Sequence, residues 1–190
     1  MSGGLSNLTQ LYLGSNRLTG EIPPELGDLS NLWDLYLGSN RLTGEIPPEL
    51  GDSGGLSHLR RLGLYDNGLT GEIPPELGGL SNLAELWLWN NQLTGEIPPE
   101  LGGLSNLTRL LLNNNQLTGA IPPELGGLSN LTTLVLRATH RLTGCIHPRG
   151  CETCGNDLGR LNLPTALSAH RRRWSPLQRH GWEAGPPDTG

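Results

Sequence analysis

Between Leu5 and Gly144 the apolar positions follow one pattern six times over, LxxLxxLxLxxNxLTGxIPPELGxL. In the first copy Leu11 and Leu13 alternate with non-leucine neighbours, the pattern of a short strand with one buried face. Leu5, Leu8, Leu18, Ile22 and Leu26 complete the inward-facing set. No copy can bury that set alone, so neighbouring copies must stack to form a continuous core. The copies begin at Leu5, Leu29, Leu56, Leu80, Leu104 and Leu128, at spacings of 24, 27, 24, 24 and 24 residues. A fixed period in this range predicts a solenoid. The one long spacing holds three extra residues around Ser53, Gly54 and Gly55, read as a flexible insertion between turns.

Each copy also carries its own turn chemistry. Thr-Gly recurs at 19–20, 43–44, 70–71, 94–95 and 118–119, where glycine can take positive φ. The Pro-Pro pairs that follow fix φ and oppose a long helix on the back of each turn. The convex side is therefore expected to hold extended segments and short 3₁₀ turns, with a parallel sheet on the concave side. At a strand spacing of ~4.8 Å, six turns give a sheet roughly 25–30 Å long, a shallow arc. The stretch LYLGSNRLTGEIPPELGD occurs letter for letter at 11–28 and 35–52, as expected of tandem duplication.

The repeat resembles the leucine-rich repeat, and specifically its 24-residue plant-type form, marked by LTGxIP. The resemblance covers residues 5–144 and implies an α/β-type solenoid with little α-helix. It also implies that Asn16, Asn40, Asn67, Asn91 and Asn115, which fall at one equivalent position, lie inside and satisfy backbone groups of adjacent turns. In the sixth unit, LSNLTTLVLRATHRLTG, one residue is added and the ladder Asn is replaced near Thr139 or His140.

Both ends depart from the pattern. GGLSNL at 3–8 matches 78–83, 102–107 and 126–131, so residues 1–4 read as the remnant of a preceding repeat and the chain as a fragment of a longer array. After residue 144 the segment CIHPRGCETCGNDLGRLNLP resembles a closing segment of microbial plant-type repeat proteins through LTGCI (142–146) and NDLGRLNLP (156–164). The intervening residues do not match. Permissible codons for residues 147–154, read from their third base, restore the family peptide PEGLRDV, which fits two compensating shifts of frame. Residues 145–167 are thus expected to form a degenerate C-terminal cap, and 168–190, rich in Arg, Pro and Gly, a disordered basic tail.

Charge divides along the same boundary. The net charge of −5 combines five Arg and fourteen acids in residues 1–136 with eight Arg and four acids in 137–190. All thirteen basic residues are Arg. A basic tail behind an acidic body can act as a nucleic-acid arm, but the plainer reading is a solvated segment, and nucleic acid is not an expected partner. No apolar run is long enough to span a membrane, and MSGGLSNLTQ has neither the charged nor the apolar part of a signal peptide.

Catalytic motifs are absent: there is no G-x-S-x-G, H-E-x-x-H or Walker loop. His58, His140, His147, His170 and His180 lie in unlike contexts, and Glu21 and Glu25 recur in every turn as consensus acids. Cys145, His147, Cys151 and Cys154, spaced C-x-H-x₃-C-x₂-C, have the ligand types of a tetrahedral zinc site. The frame-shift reading makes Cys151 and Cys154 accidental, so no metal or other cofactor is expected. Asn7-Leu8-Thr9, Asn106-Leu107-Thr108 and Asn130-Leu131-Thr132 are glycosylation sequons, but each also follows from the LSNLT consensus.

The variable positions carry more information. In the resembled family, residues beside the strand leucines face the concave solvent side. All six aromatics of the array, Tyr12, Trp33, Tyr36, Tyr65, Trp87 and Trp89, fall there, and none is expected in the core. With Arg61, Glu85 and Arg109 at their margin they have the composition of a recognition surface. The expected function is a non-catalytic recognition module for a protein, peptide or glycan. The alternatives are the ectodomain of a leucine-rich-repeat receptor-like kinase, which would place it at the cell surface or outside it, or a non-functional fragment.

Overall fold

The computed structural model describes residues 5–143, apart from 53, 138 and 140. The chain winds as six turns, each opening with a strand on the concave side. Paired in order with the short strands at the LTG words, these are β1 (Gln10–Tyr12) and β2 (Thr19–Gly20), β3 (Asp34–Tyr36) and β4 (Arg41–Gly44), and β5 (Arg61–Gly63) and β6 (Gly68–Leu69). Then come β7 (Glu85–Trp87), β8 (Arg109–Leu111) and β9 (Thr118–Ala120), and β10 (Thr133–Val135) and β11 (Arg141–Thr143). The concave sheet is parallel and runs β1-β3-β5-β7-β8-β10, so neighbours in sequence are neighbours in space. Shorter parallel ladders, β2-β4-β6 and β9-β11, form at the LTG words.

The back of each of the first five turns is a 3₁₀ segment in the PEL words: Pro24–Asp28, Pro48–Leu50, Pro75–Gly79, Pro99–Gly103 and Pro123–Gly127. In each, the first proline of the pair is extended, near φ −60 and ψ 128, and the second opens the segment. This follows from the fixed φ of proline, which suits a first turn and resists continuation. Among the described residues the glycine of each Thr-Gly pair has positive φ, from 74° to 86°.

One leucine- and isoleucine-rich core runs the length of the array. Burial of each such side chain contributes on the order of 2 kcal/mol. The first turn departs from the expected inward set. Leu5 is 59% exposed, Leu13 37% and Leu18 38%, whereas Leu37, Leu64, Leu42 and Leu69 at the equivalent positions are buried. The leucines of the inner turns are covered by turns on two sides, whereas among the described residues the first turn has a neighbour on one side only.

The asparagine ladder accounts for the main-chain groups where strand gives way to turn. The Asn91 amide nitrogen donates to the carbonyls of Leu64 and Leu88, at 3.1 Å each, and its oxygen accepts the Leu69 N–H at 3.1 Å. Asn115 repeats this with Leu88, Leu112 and Leu93, and Asn67 with Leu37, Leu64 and Leu42. In the sixth turn Thr139 takes the position, its hydroxyl donating to Leu136 O at 2.7 Å. Asn16, in the first turn, bonds within its own turn and is exposed.

The insertion after the second turn does not loosen the sheet as its sequence suggested. β3 and β5 pair in register, Asp34 with Arg61, Leu35 with Leu62 and Tyr36 with Gly63. The extra length is taken up behind the sheet, where the 3₁₀ segment shortens to Pro48–Leu50 and Gly54 has φ 117.

Candidate recognition surface

Strand register sorts the concave face into columns. One column holds Gln10, Asp34, Arg61, Glu85, Arg109 and Thr133; the next holds Tyr12, Tyr36, Gly63, Trp87, Leu111 and Val135. Both flank the inward leucines of the strands, because successive side chains alternate between faces. Beyond the strands a third row continues through Gly38, Tyr65 and Trp89.

The rings form one connected strip. Tyr12 stacks on Tyr36, with centroids 5.3 Å apart, and Tyr36 meets Trp87 at 5.5 Å. Tyr65 meets Trp87 at 5.9 Å and stacks on Trp89 at 4.7 Å. These separations are in the range where aromatic pairs attract beyond the area they bury. Tyr36 and Trp87 lie two turns apart and touch because Gly63 stands between them without a side chain. A Cβ at Gly63 would lie 2.6 Å from Tyr36 Cδ1, and one at Gly38 would lie 2.5 Å from Tyr65 Cε1.

The same glycines correct the expectation that no aromatic is buried. Tyr36 is 5% exposed and Tyr65 7%, since each leans into space that a glycine leaves open. Burial, first of all, raises the pKa of both phenols, so both stay neutral. Tyr12 remains 54% exposed, and Trp87 and Trp89 are half-buried. The Trp87 Nε1 is buried and has no hydrogen-bond partner among the described residues. Trp33 stands apart from the strip. It precedes β3, is exposed, and lies beneath Arg60, whose Cζ is 5.4 Å from the ring centroid.

Asp34 anchors the charged margin. It is 2% exposed and accepts hydrogen bonds from Gln10 Nε2 at 3.1 Å, Tyr12 Oη at 2.8 Å, and Arg61 Nε and Nη2 at 2.6 Å each. Burial pushes its carboxyl upward, but the Arg61 guanidinium and the Tyr12 hydroxyl outweigh burial and hold it below the usual carboxylate range. The carboxylate in turn raises Arg61, whose Cζ lies 5.7 Å over the Tyr36 ring. Arg109 and Glu85 face each other more loosely, at 3.8 Å, with Arg109 exposed.

A polar row borders the strip on its other side. Ser15, Ser39, Asp66, Asn90 and Asn114 all have φ near 55. Ser39 Oγ donates to Asp66, and Asn114 Nδ2 to Asn90. Left-handed backbone at these sites favours the Asn and Asp found in the later turns over the Ser of the first two. Of the residues the sequence reading singled out, Tyr12, Tyr36, Arg61, Glu85, Trp87 and Arg109 lie in the strands of this sheet, and Tyr65 and Trp89 just beyond them. That reading missed the role of Asp34, although a step of one repeat from Asp34 lands on Arg61. Cys145, His147, Cys151 and Cys154, the cap and the basic tail lie outside the described residues.

A family profile for the Leucine Rich Repeat matches residues 7–29, 31–53, 58–80, 82–104 and 106–128. The chain is a leucine-rich-repeat protein. No curated protein sequence matches it. Among solved structures, this leucine-rich-repeat chain is similar to the Arabidopsis receptor kinase HAESA ectodomain in complex with an IDA peptide hormone ligand. The identity is 45% and the TM-score 0.70, over 75% of this chain and 23% of that one. It is similar to the plant peptide hormone receptor RGFR1 in complex with RGF2, at 44% identity and TM-score 0.69, over 72% of this chain and 22% of that one. The BIR2 ectodomain from Arabidopsis thaliana is 36% identical with a TM-score of 0.63, covering 74% of this chain and 72% of that one. The chain thus spans less than a quarter of the first two receptors' length. Among the described residues no helix is long and apolar enough to cross a membrane.

Proposed function

We infer that this leucine-rich-repeat solenoid is a non-catalytic recognition module that binds a protein or peptide on its concave sheet. The observation that carries the reading is the strip Tyr12–Tyr36–Trp87–Tyr65–Trp89, continuous over four turns on an otherwise open face. Tyr12 is exposed and Trp87 and Trp89 are half-buried over the buried Tyr36 and Tyr65; apolar rings left beside water are stabilised when a partner covers them, and aromatic and Arg side chains dominate binding energy at interfaces. Two of the similar solved structures hold peptide hormones, which supports a peptide as the partner. Glu85 and Arg109 set orientation at the margin, and Trp33 with Arg60 extends the contact toward the flank.

Trp87 and Trp89 are the chief anchors, because they keep exposed surface while packed on Tyr36 and Tyr65. The test is a panel of peptides and proteins presented to the immobilised full chain and to Trp87→Ala/Trp89→Ala. A partner held by the first and lost by the second supports the reading; partners held equally by both refute it. A second reading, the ectodomain of a receptor kinase, is supported by the structural resemblance to such ectodomains.

A further inference from the structure

We propose that Arg61 is the specificity-determining residue of the concave surface, and that its pairing with Asp34 selects an uncharged peptide over an acidic one. The proposal rests on the concave surface being the binding site. Its observation is geometric. Nε and Nη2 of Arg61 are both committed to Asp34 at 2.6 Å, and the guanidinium lies over the Tyr36 ring at 5.7 Å. The side chain is still 42% exposed, and among the described residues Nη1 has no hydrogen-bond partner. A guanidinium held on one edge and open on another is a fixed donor, pre-organised so that little freedom is lost when a ligand bonds to it.

Charge decides which acceptor it takes. A carboxylate approaching Nη1 would meet the Asp34 carboxylate behind Arg61 as well as the guanidinium; that repulsion, from roughly twice the distance, offsets about half of the attraction, and the carboxylate gives up more hydration than a neutral carbonyl. An amide carbonyl loses nothing by this and gains a charge-assisted hydrogen bond. The wider face agrees. Asp34, Asp66 and Glu85 are balanced there by Arg61, Arg109 and Arg137, with Arg60 on the flank over Trp33, while the recurring acids Glu21, Glu45, Glu72 and Glu96 follow the Thr-Gly words instead. The concave strip is therefore the electrically balanced face of an acidic array. The fitting ligand places an aromatic or aliphatic side chain on Trp87 and Trp89 and a backbone carbonyl against Arg61.

The experiment is selection of a random linear peptide library, displayed on phage, against the full chain and its variants. The wild type should enrich uncharged peptides with aromatic or aliphatic residues. Asp34→Asn releases Arg61 as an unpaired cation and should shift the enriched pool to acidic peptides. Arg61→Lys keeps the charge but loses the fork, and should weaken wild-type peptides by about tenfold, with Arg109→Lys changing them less. Acidic peptides already enriched by the wild type, or one pool shared by wild type and Asp34→Asn, would overturn the assignment of Arg61 while leaving the strip intact. If no enriched peptide depends on Trp87 and Trp89, the concave reading fails, and the role of Arg61 with it.

Discussion

Asp34 and Arg61 face each other across the join that holds the three-residue insertion, linked by two hydrogen bonds of 2.6 Å. The pair stitches the second turn to the third where the repeat period is broken. Arg61→Ala leaves a buried carboxylate with only Gln10 and Tyr12 for partners. It is expected to cost about 1.5–3 kcal/mol, the range for hydrogen bonds to charged groups. Urea unfolding at neutral pH checks this, with Arg109→Ala as the loosely paired control, whose effect should stay within about 0.5 kcal/mol.

The same pair gives the array an acid sensitivity. Asp34 is held below its ordinary value in the folded chain, so the unfolded chain takes up the proton more readily as pH falls. Its contribution is fully present above the unfolded carboxyl value, about 3.9, and is lost on acidification through the lower folded value. The gap in urea midpoint between wild type and Asp34→Asn should therefore narrow below about pH 4. A gap that stays constant from neutral pH to that range would contradict the assignment.

Adjacent asparagines should differ in what they tolerate. Asn91→Ala removes a buried amide that serves three backbone groups, at about 1–3 kcal/mol. Asn90 looks like a neutral surface position in the sequence, yet its φ of 53 makes alanine there cost roughly 1 kcal/mol. Asn90→Gly should be milder than Asn90→Ala. By the same reasoning Ser15→Asn, at φ 55, should stabilise by a few tenths of a kcal/mol, about what a better-suited residue gives at such a site. Chemical denaturation of the four variants gives the order directly.

Gly63→Ala places a methyl where Tyr36 lies, and Gly38→Ala one where Tyr65 lies. Each should cost about 1–3 kcal/mol, the usual penalty of overpacking. Each should also change the near-ultraviolet circular dichroism of the coupled rings. Gly20→Ala is the contrast. It carries a backbone penalty from its φ of 86 but has no neighbour within 4 Å to displace, so the ring signal should not move.

Much of this was legible in the sequence because a solenoid repeats its geometry. Once Leu11 and Leu13 are read as one strand, adding the repeat length places Tyr36, Trp87 and Arg109 on one face. The lean of Tyr36 and Tyr65 was less legible. Each is an outward position by period, and its burial follows from a glycine in a different turn. The left-handed backbone at Asn90 was hidden for a related reason: Ser15 and Ser39 occupy the same site without the residue types that mark it. The exposure of Leu13 and Leu18 depends on what covers the first turn, which a repeat consensus does not encode.

The most direct test of a concave binding face compares two double variants against one bound partner. Trp87→Ala/Trp89→Ala removes the anchors; Glu96→Ala/Glu100→Ala changes exposed acids outside the strip and leaves it untouched. The dissociation constant, measured by calorimetry, should rise at least about thirtyfold for the tryptophan pair, as loss of a true anchor costs ~2 kcal/mol or more. It should change less than about threefold for the glutamate pair. Binding abolished by the glutamate pair and kept by the tryptophan pair would contradict recognition on the concave face.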